Sequence, residues 1–339
     1  MDEKLTNLQI GALLHDIGKI VRRAGKAGKN RHSKAGAEYL ENRELLDIEK
    51  YKEVYNMIKY HHNEEISEND KLEGSSLAYL IYEADNIASG VDRVKYDDEI
   101  CDEGDKKQVK KNEGLPLNSI FNRLNVQKNN IEKNFKSLKY DRLSFNIPKK
   151  KIDEKKIEKE EYLDNVLKQL KEDLEEMKQK NMLTPEKLNS VLEESCIYFP
   201  SSSYVDYPDV AYYDHVKLTA AVASCMYLYD IKKENKKIDY KDKYFKKNQK
   251  KEREKLKFLF VSGEFTGIQN FIYTIISKMA MKSLRGRSFY LELFIEHIID
   301  EILEALNLSR VNLVYSAGSQ FYMLLPNIPE TVEILEEYK

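Results

Sequence analysis

The sequence predicts a mainly α-helical protein with a shorter α+β unit at its C-terminal end. Apolar residues recur at helical spacing over much of residues 5–92, which favours an all-helical unit there. Two short apolar runs near the C-terminus flank Ser316-Ala-Gly318-Ser319, a pattern typical of a β-hairpin. At 339 residues, the chain is long enough for two domains that each bury a core.

Composition narrows the class of protein. Charged residues make up 34% of the chain, but the formal net charge is only −2, so arguments about partners must use local charge. Cys101, Cys196 and Cys225 are far apart and form no CxxC pair, which argues against a disulfide framework or a cysteine zinc site. We find no signal-peptide pattern and no apolar run long enough for a membrane span. We therefore expect a cytoplasmic protein without a membrane partner.

Four helices are predicted in the N-terminal region. They cover residues 5–23, a segment that opens at His32, residues 47–62 and residues 75–92. Burying an unpaired polar group is costly, so polar residues within these apolar patterns need a reason. The candidate metal ligands that stand out in this way are His15, Asp16, His32, His61, His62 and Asp85.

The candidate ligands offer nitrogen and oxygen atoms but no sulfur. Such a set suits one or two divalent transition-metal ions, among Mn, Ni, Co, Fe and Zn. Adjacent His15 and Asp16 can reach the same ion, and Lys19, one turn further on, either meets a phosphate oxygen or packs beside the site. The order of these residues predicts a phosphohydrolase of the HD type, with His15, Asp16 and Lys19 as its catalytic residues.

The middle of the chain is less informative. Charges of both signs surround an apolar stripe between Lys149 and Lys180, which predicts an amphipathic surface helix. Small apolar residues at 220–225 predict a tightly packed helix, with His215 near its beginning. The lysine-rich stretch over residues 232–257 has two interpretations, a solvated linker or an arm that neutralises phosphates.

The C-terminal region alternates strands and helices. We predict a strand over residues 256–261, a helix over 289–306, strands over 311–315 and 321–325, and a helix from Thr331. This order is the beginning of a ferredoxin-like βαββαβ unit without its last strand. His297, in the first of these helices, has no companion and is predicted to lie at the surface.

Several motifs together resemble the large signature subunit of type III-A CRISPR–Cas effector complexes, the Csm type. They are His15-Asp16 with Gly18-Lys19, His61-His62, Asp209-Val-Ala-Tyr-Tyr-Asp214-His215, Gly263-Glu-Phe-Thr-Gly267-Ile-Gln269 and Leu284-Arg285-Gly-Arg287-Ser. The resemblance covers most of the chain. It implies a circularly permuted all-helical HD domain followed by a partial ferredoxin-like palm domain.

The resemblance also implies domain limits. Residues 1–235 would form the permuted HD-type nuclease domain, with a charged helical insertion at about 100–200. Residues 236–256 would form a basic linker, and residues 257–339 a partial first palm domain that is truncated before its last strand. The family's Gly-Gly-Asp-Asp metal loop does not occur in the chain, so we do not expect it to make cyclic oligoadenylates from ATP and Mg²⁺, as complete family members do.

The function implied by the resemblance is metal-dependent cleavage of single-stranded DNA in an antiviral complex activated by target RNA. The implied partners are the small subunit, the crRNA-handling subunit, crRNA, target RNA and the DNA substrate. Arg285 and Arg287 are expected to contact nucleotide or RNA, and structural ion pairs are the alternative.

An ordinary HD domain carries a ligand histidine before its His-Asp pair, but no histidine precedes His15 in this chain. We therefore expect His215 to supply the missing ligand, which requires its helix to pack against the first helix. Asp16 would then bridge two ions about 3.5–4 Å apart. The ligands of one ion would be His15, Asp85 and His215, and those of the other His32, His61 and His62.

Alternatives remain open for single residues and for the whole chain. His32, and one of His61 and His62, can equally be surface or supporting groups. The same ligands would serve an HD phosphohydrolase that acts on a nucleotide second messenger. A non-catalytic scaffold that binds other subunits through its helices is the third candidate.

Overall fold

A computed structural model describes most of the chain. The described residues are 2–28, 30–68, 72–92, 159–202, 210–234, 237–246, 248–273 and 280–338, together with 116–117, 138–139, 152–153 and 208. Within them, helices dominate and the strands form two small sheets. The predicted mainly α fold is confirmed.

A helical bundle forms the larger part of the molecule. Its helices are α1 (Glu3–Leu14), α2 (Ile17–Arg23), α3 (His32–Asn42), α4 (Lys52–Lys59), α5 (Asn63–Ser67), α6 (Ala78–Asp92), α7 (Lys159–Gln179), α8 (Pro185–Cys196) and α9 (Tyr212–Lys233). Helix α1 packs against α4, α6, α8 and α9. Eight of its residues are buried, on all sides of the helix, so α1 is apolar around nearly its whole circumference.

The predicted helix over residues 5–23 is two helices in the structure. The break falls at His15 and Asp16, where Nδ1 of His15 hydrogen-bonds to the carbonyl oxygen of Ala12 at 2.6 Å. Asp16 takes the N-cap position of α2, with φ −97° and ψ 7°. The apolar spacing continues across this short break, so periodicity did not reveal it.

The predicted helix over residues 47–62 is also shorter. Helix α4 ends at Lys59, and His61 and His62 lie in its connection to α5. His62 has an extended backbone, with φ −118° and ψ 154°. Adjacent side chains on a helix would point about 100° apart, whereas the two imidazole rings here lie 4.1 Å apart between centroids.

The charged helix predicted between Lys149 and Lys180 corresponds to α7. Its apolar stripe is buried in the bundle core and comprises Leu163, Val166, Leu167, Leu170, Leu174 and Met177. Most of the predicted insertion before α7 lies outside the described residues. Among its described residues, β1 (Leu138–Lys139) and β2 (Ile152–Asp153) pair as antiparallel strands.

Helix α9 follows α8 in the chain and packs against α1 and α6. Between α9 and α1, the side-chain amide of Gln9 donates to Oγ of Ser224 at 3.0 Å, and both groups are buried. The hydroxyl of Tyr227 donates to Oδ2 of Asp2 at 2.7 Å. This packing is the one that the predicted permutation requires.

A connector, residues 237–257, joins the bundle to the sheet unit and contains α10 (Tyr240–Tyr244) and α11 (Gln249–Arg253). Lys243 and Lys257 are buried in it, whereas both interpretations from the sequence, a solvated linker and a phosphate-neutralising arm, place the lysines in solvent. Nζ of Lys243 lies 2.7 Å from Oδ1 of Asp230, and Nζ of Lys257 donates to Oε2 of Glu252 at 2.8 Å. Because carboxylates pair with these ammonium groups, the lysines can be buried.

The sheet unit follows the connector. Its elements are β3 (Phe258–Glu264), α12 (Ile268–Tyr273), α13 (Ala280–Ala305), a 3₁₀ turn (Arg310–Asn312), β4 (Leu313–Ala317), β5 (Gln320–Pro326) and α14 (Pro329–Glu337). The strand order is β3-β5-β4, and both pairings are antiparallel. Strands β3 and β4 are therefore parallel to each other and joined through helices, as in the first part of a ferredoxin-like unit.

The two faces of this sheet have different neighbours. Met323 and Leu325 of β5 pack with Ile299 and Leu303 of α13 in a separate small core. On the other face, α9 packs against β5, and the Sγ atom of Cys225 donates to the carbonyl oxygen of Leu324 at 3.4 Å. The sheet unit thus rests on the helix that carries His215.

None of the described helices has both the length and the apolar character needed to cross a lipid bilayer.

Candidate metal centre

Asp16 lies at the centre of a cluster of imidazoles, at the start of α2. Its side chain is almost wholly buried. Oδ2 lies 3.2 Å from Nε2 of His215 and 3.4 Å from Nε2 of His15. Oδ1 lies 3.2 Å from Nε2 of His32 and 3.7 Å from Nε2 of His61. The two oxygens of one carboxylate therefore face two different groups of imidazoles.

The first ligand group contains His15, Asp16, Asp85 and His215, all of them buried. Oδ1 of Asp85 lies 3.2 Å from Nε2 of His215 and 3.7 Å from Nε2 of His15. One ligand atom from each of the four residues lies within 4.8 Å of the other three. His15 lies at the C-terminal end of α1 and Asp16 at the start of α2. Asp85 lies on α6, and His215 lies in the first turn of α9.

The second ligand group contains Asp16, His32, His61 and His62. The Nε2 atoms of His32 and His62 lie 2.6 Å apart, and Nδ1 of His62 lies 4.0 Å from Oδ2 of Asp85. His61 is buried, whereas the side chains of His32 and His62 are 21% and 32% exposed. This group therefore forms the solvent side of the centre.

Backbone carbonyls fix which nitrogen His15 and His61 present. Nδ1 of His15 lies 2.6 Å from the carbonyl oxygen of Ala12, and Nδ1 of His61 lies 2.7 Å from that of Ile58. A carbonyl oxygen can only accept, so both Nδ1 atoms donate and each Nε2 turns towards Asp16. Both Nε2 atoms are buried without a hydrogen-bond partner among the described residues. A bound cation would satisfy these atoms.

Burial and charge act against each other in the centre. Burial disfavours protonated His15, but Asp16 and Asp85 outweigh it and raise the pKa of His15 to about 9. Burial opposes ionisation of Asp16 as well, yet Lys19 and His15 hold its pKa well below the ordinary value. Burial and the neighbouring imidazoles of His62 and His15 lower the pKa of His61 well below its ordinary value. Binding of a metal ion would displace the proton that the two carboxylates hold on His15, because an imidazole ligand binds in its neutral form.

Lys19 lies at the rim of the centre. Its Nζ lies 2.5 Å from Oδ2 of Asp16, and its side chain is about a quarter exposed. The sequence left open whether this lysine meets a phosphate or packs beside the site. The structure places it beside Asp16, with its side chain partly exposed to solvent.

Two glycines allow the close approach of α2 and α3. A Cβ atom on Gly18 would lie 1.7 Å from the carbonyl oxygen of His32, and one on Gly36 would lie 2.8 Å from the backbone nitrogen of Gly18. Only a residue without a side chain fits at such a distance. Gly18, in the motif after Asp16, thus brings His32 into reach of the carboxylate.

The donor set fits a divalent transition metal. It combines imidazole nitrogen with carboxylate oxygen and includes no thiolate, a set suited to Mn, Fe, Co, Ni or Zn. Asp16 belongs to both groups, so the residues can hold two ions that share one carboxylate. All the ligands predicted from the sequence lie in this cluster, and five of the chain's six histidines are among them.

The other predicted residues lie in the sheet unit. Arg285 is exposed near the beginning of α13. Arg287 donates from Nη1 to the carbonyl oxygen of Phe271 at 2.5 Å, and its guanidinium carbon lies 5.3 Å from the centre of the Phe271 ring. These contacts tie α13 to α12, and a nucleotide contact by either arginine stays a prediction. His297 is exposed on α13, as predicted.

The sequence did not reveal a supporting pair next to the second group. Oγ of Ser33 donates to Oε1 of Glu65 at 2.8 Å and ties the first turn of α3 to α5. Ser33 follows His32 directly, and Glu65 lies three residues after His62. Both are ordinary polar residues, and only the contact between the two helices marks them.

Comparison with known proteins finds two family models and several relatives that match this chain. The family model of the HD domain matches residues 1–90, and that of Csm1 subunit domain B matches residues 257–339. Over its whole length, the chain is 35% identical to the CRISPR system single-strand-specific deoxyribonuclease Cas10/Csm1 (subtype III-A) of Enterococcus italicus. It is 34% identical to the protein of the same description from Mycobacterium tuberculosis.

Over its whole length, the chain is homologous to Cas10/Csm1 proteins of subtype III-A. It spans 44% and 42% of the length of these two Csm1 relatives. The HD match ends before α9, so His215, the candidate ligand that α9 supplies to the first group, lies outside the matched segment, in agreement with the predicted permutation.

Solved Csm1 structures have the same fold. The crystal structure of Csm1 in T. onnurineus has a TM-score of 0.69 and 28% identity, and the match covers 99% of this chain and 42% of that one. A Csm1–Csm4 cassette in complex with pppApA has a TM-score of 0.68 and 27% identity, and the match covers 98% of this chain and 41% of that one. Another similar structure is described as a Csm1–Csm4 subcomplex in the type III-A CRISPR-Csm interference complex.

Proposed function

We propose that this chain is a metal-dependent nuclease that hydrolyses phosphodiester bonds of single-stranded DNA. The observation that carries the proposal is the position of Asp16, whose buried carboxylate is shared by two groups of candidate ligands. The proposal agrees with the names of the Csm1 relatives, which describe single-strand-specific deoxyribonucleases. We further propose that it acts in the cytoplasm, as its scattered cysteines indicate.

Each ligand has a proposed part. His15, Asp85 and His215 would hold one ion with Asp16, and the three histidines of the second group would hold the other. Divalent ions held in this way lower the pKa of bound water and neutralise charge on a phosphate. The backbone carbonyls of Ala12 and Ile58 keep His15 and His61 in the tautomer that offers Nε2.

The burial of the ligands indicates where a substrate enters. The first group is buried, whereas His32, His62 and Lys19 are partly exposed. A phosphodiester would therefore approach from the side of the second group. On that side, the ammonium group of Lys19 can pair with a phosphate oxygen and stabilise the charge that grows in the transition state.

We propose that the chain works with other subunits. Csm1 neighbours are described in complex with Csm4 and within an interference complex, which supports other effector subunits as partners. A crRNA-handling subunit belongs to this proposal. The small subunit, crRNA and target RNA complete the proposed assembly. ATP and Mg²⁺ belong to the proposal only for the complete family member, whose relatives are described with ATP and cA4.

The decisive experiment compares substrates. The purified chain is incubated with Mn²⁺ and either labelled single-stranded DNA or a cyclic dinucleotide, beside the Asp16→Asn variant. We expect cleavage of the DNA by the unaltered chain and none by the variant. Turnover of the cyclic dinucleotide alone would establish a second-messenger phosphohydrolase instead. No turnover of either substrate, with unchanged binding of partner subunits by the variant, would establish a scaffold.

A further inference from the structure

Helix α6 carries a second buried carboxylate, on the side away from the metal centre. Residues two apart on an α-helix point about 200° apart, so Glu83 faces away from Asp85. The Glu83 side chain is 1% exposed. It accepts hydrogen bonds from Arg253, through Nε at 2.5 Å and Nη2 at 2.8 Å, and from Nε2 of Gln249 at 2.8 Å. Both donors belong to α11 of the connector.

Aromatic packing holds the same face of α6. Tyr79, Tyr82 and Glu83 are spaced three and four residues apart, so they share one face of the helix. The ring of Phe245, between α10 and α11, lies 5.8 Å from the Tyr79 ring and 5.4 Å from the Tyr82 ring. The connector thus touches α6 along one face, and Asp85 projects from another.

The connector is anchored at other points as well. Lys243 pairs with Asp230 of α9, the helix that also carries His215. Lys257, paired with Glu252, directly precedes β3. The connector therefore joins the two helices that supply Asp85 and His215 to the first strand of the sheet unit.

We propose that Glu83, held by Arg253, is a positioning residue for the metal centre. The two-pronged contact between guanidinium and carboxylate fixes the rotation of α6 about its axis, and this rotation sets where Asp85 lies relative to Asp16 and His215. A bidentate arginine is suited to this part because its planar geometry fixes direction as well as distance. The inference rests on the proposed metal-dependent function and assigns a residue that does not itself touch the ligands.

Loss of the two hydrogen bonds from Arg253 to Glu83 has a physical consequence. A buried carboxylate without its partner is unfavourable, so Glu83 would turn towards water and α6 would turn with it. Asp85 would then lie further from the position that His15 and His215 define. The effect should be seen in metal affinity, and not only in the stability of the fold.

The test uses the full chain and measures Mn²⁺ binding by isothermal titration calorimetry. Arg253→Met keeps the apolar stem of a half-exposed side chain and removes the guanidinium group that binds Glu83. Glu83→Gln removes the charge from the other partner. We expect both variants to bind Mn²⁺ about tenfold more weakly than the unaltered chain, the effect typical of losing support behind metal ligands. If Glu83→Gln fails to fold, Arg253→Met alone decides.

Glu252→Gln is the matched control. It weakens ion pairs with Lys255 and Lys257 within the same connector but leaves Arg253 and Glu83 in place. We expect a lower unfolding temperature without metal and an unchanged Mn²⁺ affinity. Unchanged affinity in Arg253→Met, or an equal loss in Glu252→Gln, overturns the positioning role. If the unaltered chain binds no Mn²⁺, the proposed function itself fails, which is a separate result.

Discussion

Nε2 of His215 lies 3.2 Å from Oδ2 of Asp16, although the first residue is on α9 and the second begins α2. Asp16 lies two residues beyond the end of α1, so this contact depends on the packing of α9 against α1 in the bundle core. The candidate metal centre is therefore held by the same packing that stabilises the fold. Ligands on rigid helices keep their geometry better than ligands on loops.

Removing the distant histidine should abolish cleavage. In His215→Asn, the first group loses an imidazole that faces both Asp16 and Asp85. Loss of an outer partner of a metal ligand typically costs about 10–100-fold, so we expect the loss of this ligand to lower the cleavage rate of single-stranded DNA by more than about 100-fold. The measurement is single-turnover cleavage in Mn²⁺.

His297→Asn is the control for that variant. His297 is the one histidine outside the cluster and is exposed on α13. We expect cleavage at the rate of the unaltered chain. Equal activity of both histidine variants would show that His215 does not take part in the reaction.

Mn²⁺ should stabilise the folded chain. Binding to the folded state alone adds about 2.7 kcal/mol to the free energy of unfolding when the ion is present at a hundred times its dissociation constant. We expect thermal unfolding at a higher temperature in Mn²⁺ than in EDTA, and no such shift in Asp16→Asn. Ca²⁺, which prefers oxygen ligands, serves as the comparison ion. A shift of equal size with Ca²⁺ would contradict an imidazole-rich site.

The hydrogen bond between Ser33 and Glu65 should matter for the second ligand group. Ser33→Ala removes the link between the first turn of α3 and α5 that keeps His32 beside His62. We expect the weaker of the two Mn²⁺ binding steps to lose about tenfold in affinity, as for other supporting hydrogen bonds. Ser67→Ala, which removes a hydrogen bond to the Asn63 carbonyl within α5, is the control. Identical titrations of the two variants would remove Ser33 from the site.

Gly18 should not tolerate a side chain. A Cβ atom there would meet the His32 carbonyl oxygen at 1.7 Å, so α3 would have to move away from α2. We expect Gly18→Ala to lower the free energy of unfolding by about 3 kcal/mol, as overpacking does. In Gly90→Ala, nothing lies within 4 Å of the added Cβ, and the change should stabilise α6 by about 0.5–1 kcal/mol. Urea denaturation measures both, and a loss in both variants would point to a cause other than the helix contact.

Glu252 should contribute stability that depends on pH. Burial favours its neutral form, but hydrogen bonds from Lys255 and Lys257 outweigh this effect and lower the pKa below the ordinary value of 4.5. A carboxyl with a lowered pKa stabilises the fold above pH 4.5, and this contribution is lost as the pH falls through the lower folded value. Glu252→Gln should therefore cost about 1 kcal/mol at pH 7, since Lys255 is partly exposed.

The check is urea denaturation of Glu252→Gln and the unaltered chain at pH 7 and at several values below pH 4.5. The difference between the two proteins should shrink as the pH falls. A difference that stays constant down to the lowest pH at which both fold would contradict the role of the ionised carboxylate.

The fold was predictable from local patterns where those patterns are long. The helix around Asp85 and the hairpin of β4 and β5 follow from apolar spacing and a turn sequence, and the structure confirms both. The break at His15 and Asp16 was not predictable in the same way. It interrupts hydrogen bonding at a single point while the apolar spacing continues, and hydrophobic periodicity does not register such an interruption.

The sequence by itself determined the chemistry of this protein: imidazoles and carboxylates without thiolates, set in apolar helices that give no other reason to bury them. Only the tertiary structure decided that the packing of α9 brings His215 next to Asp16. It also decided that carbonyl oxygens of α1 and α4 orient His15 and His61. Finally, it decided that Arg253 pairs with Glu83, on the side of α6 away from Asp85. The physical reason is the separation along the chain of the residues that interact. Side-chain type and periodicity are properties of neighbouring residues, whereas a ligand cluster depends on how distant helices pack, and that packing is decided by the whole core at once.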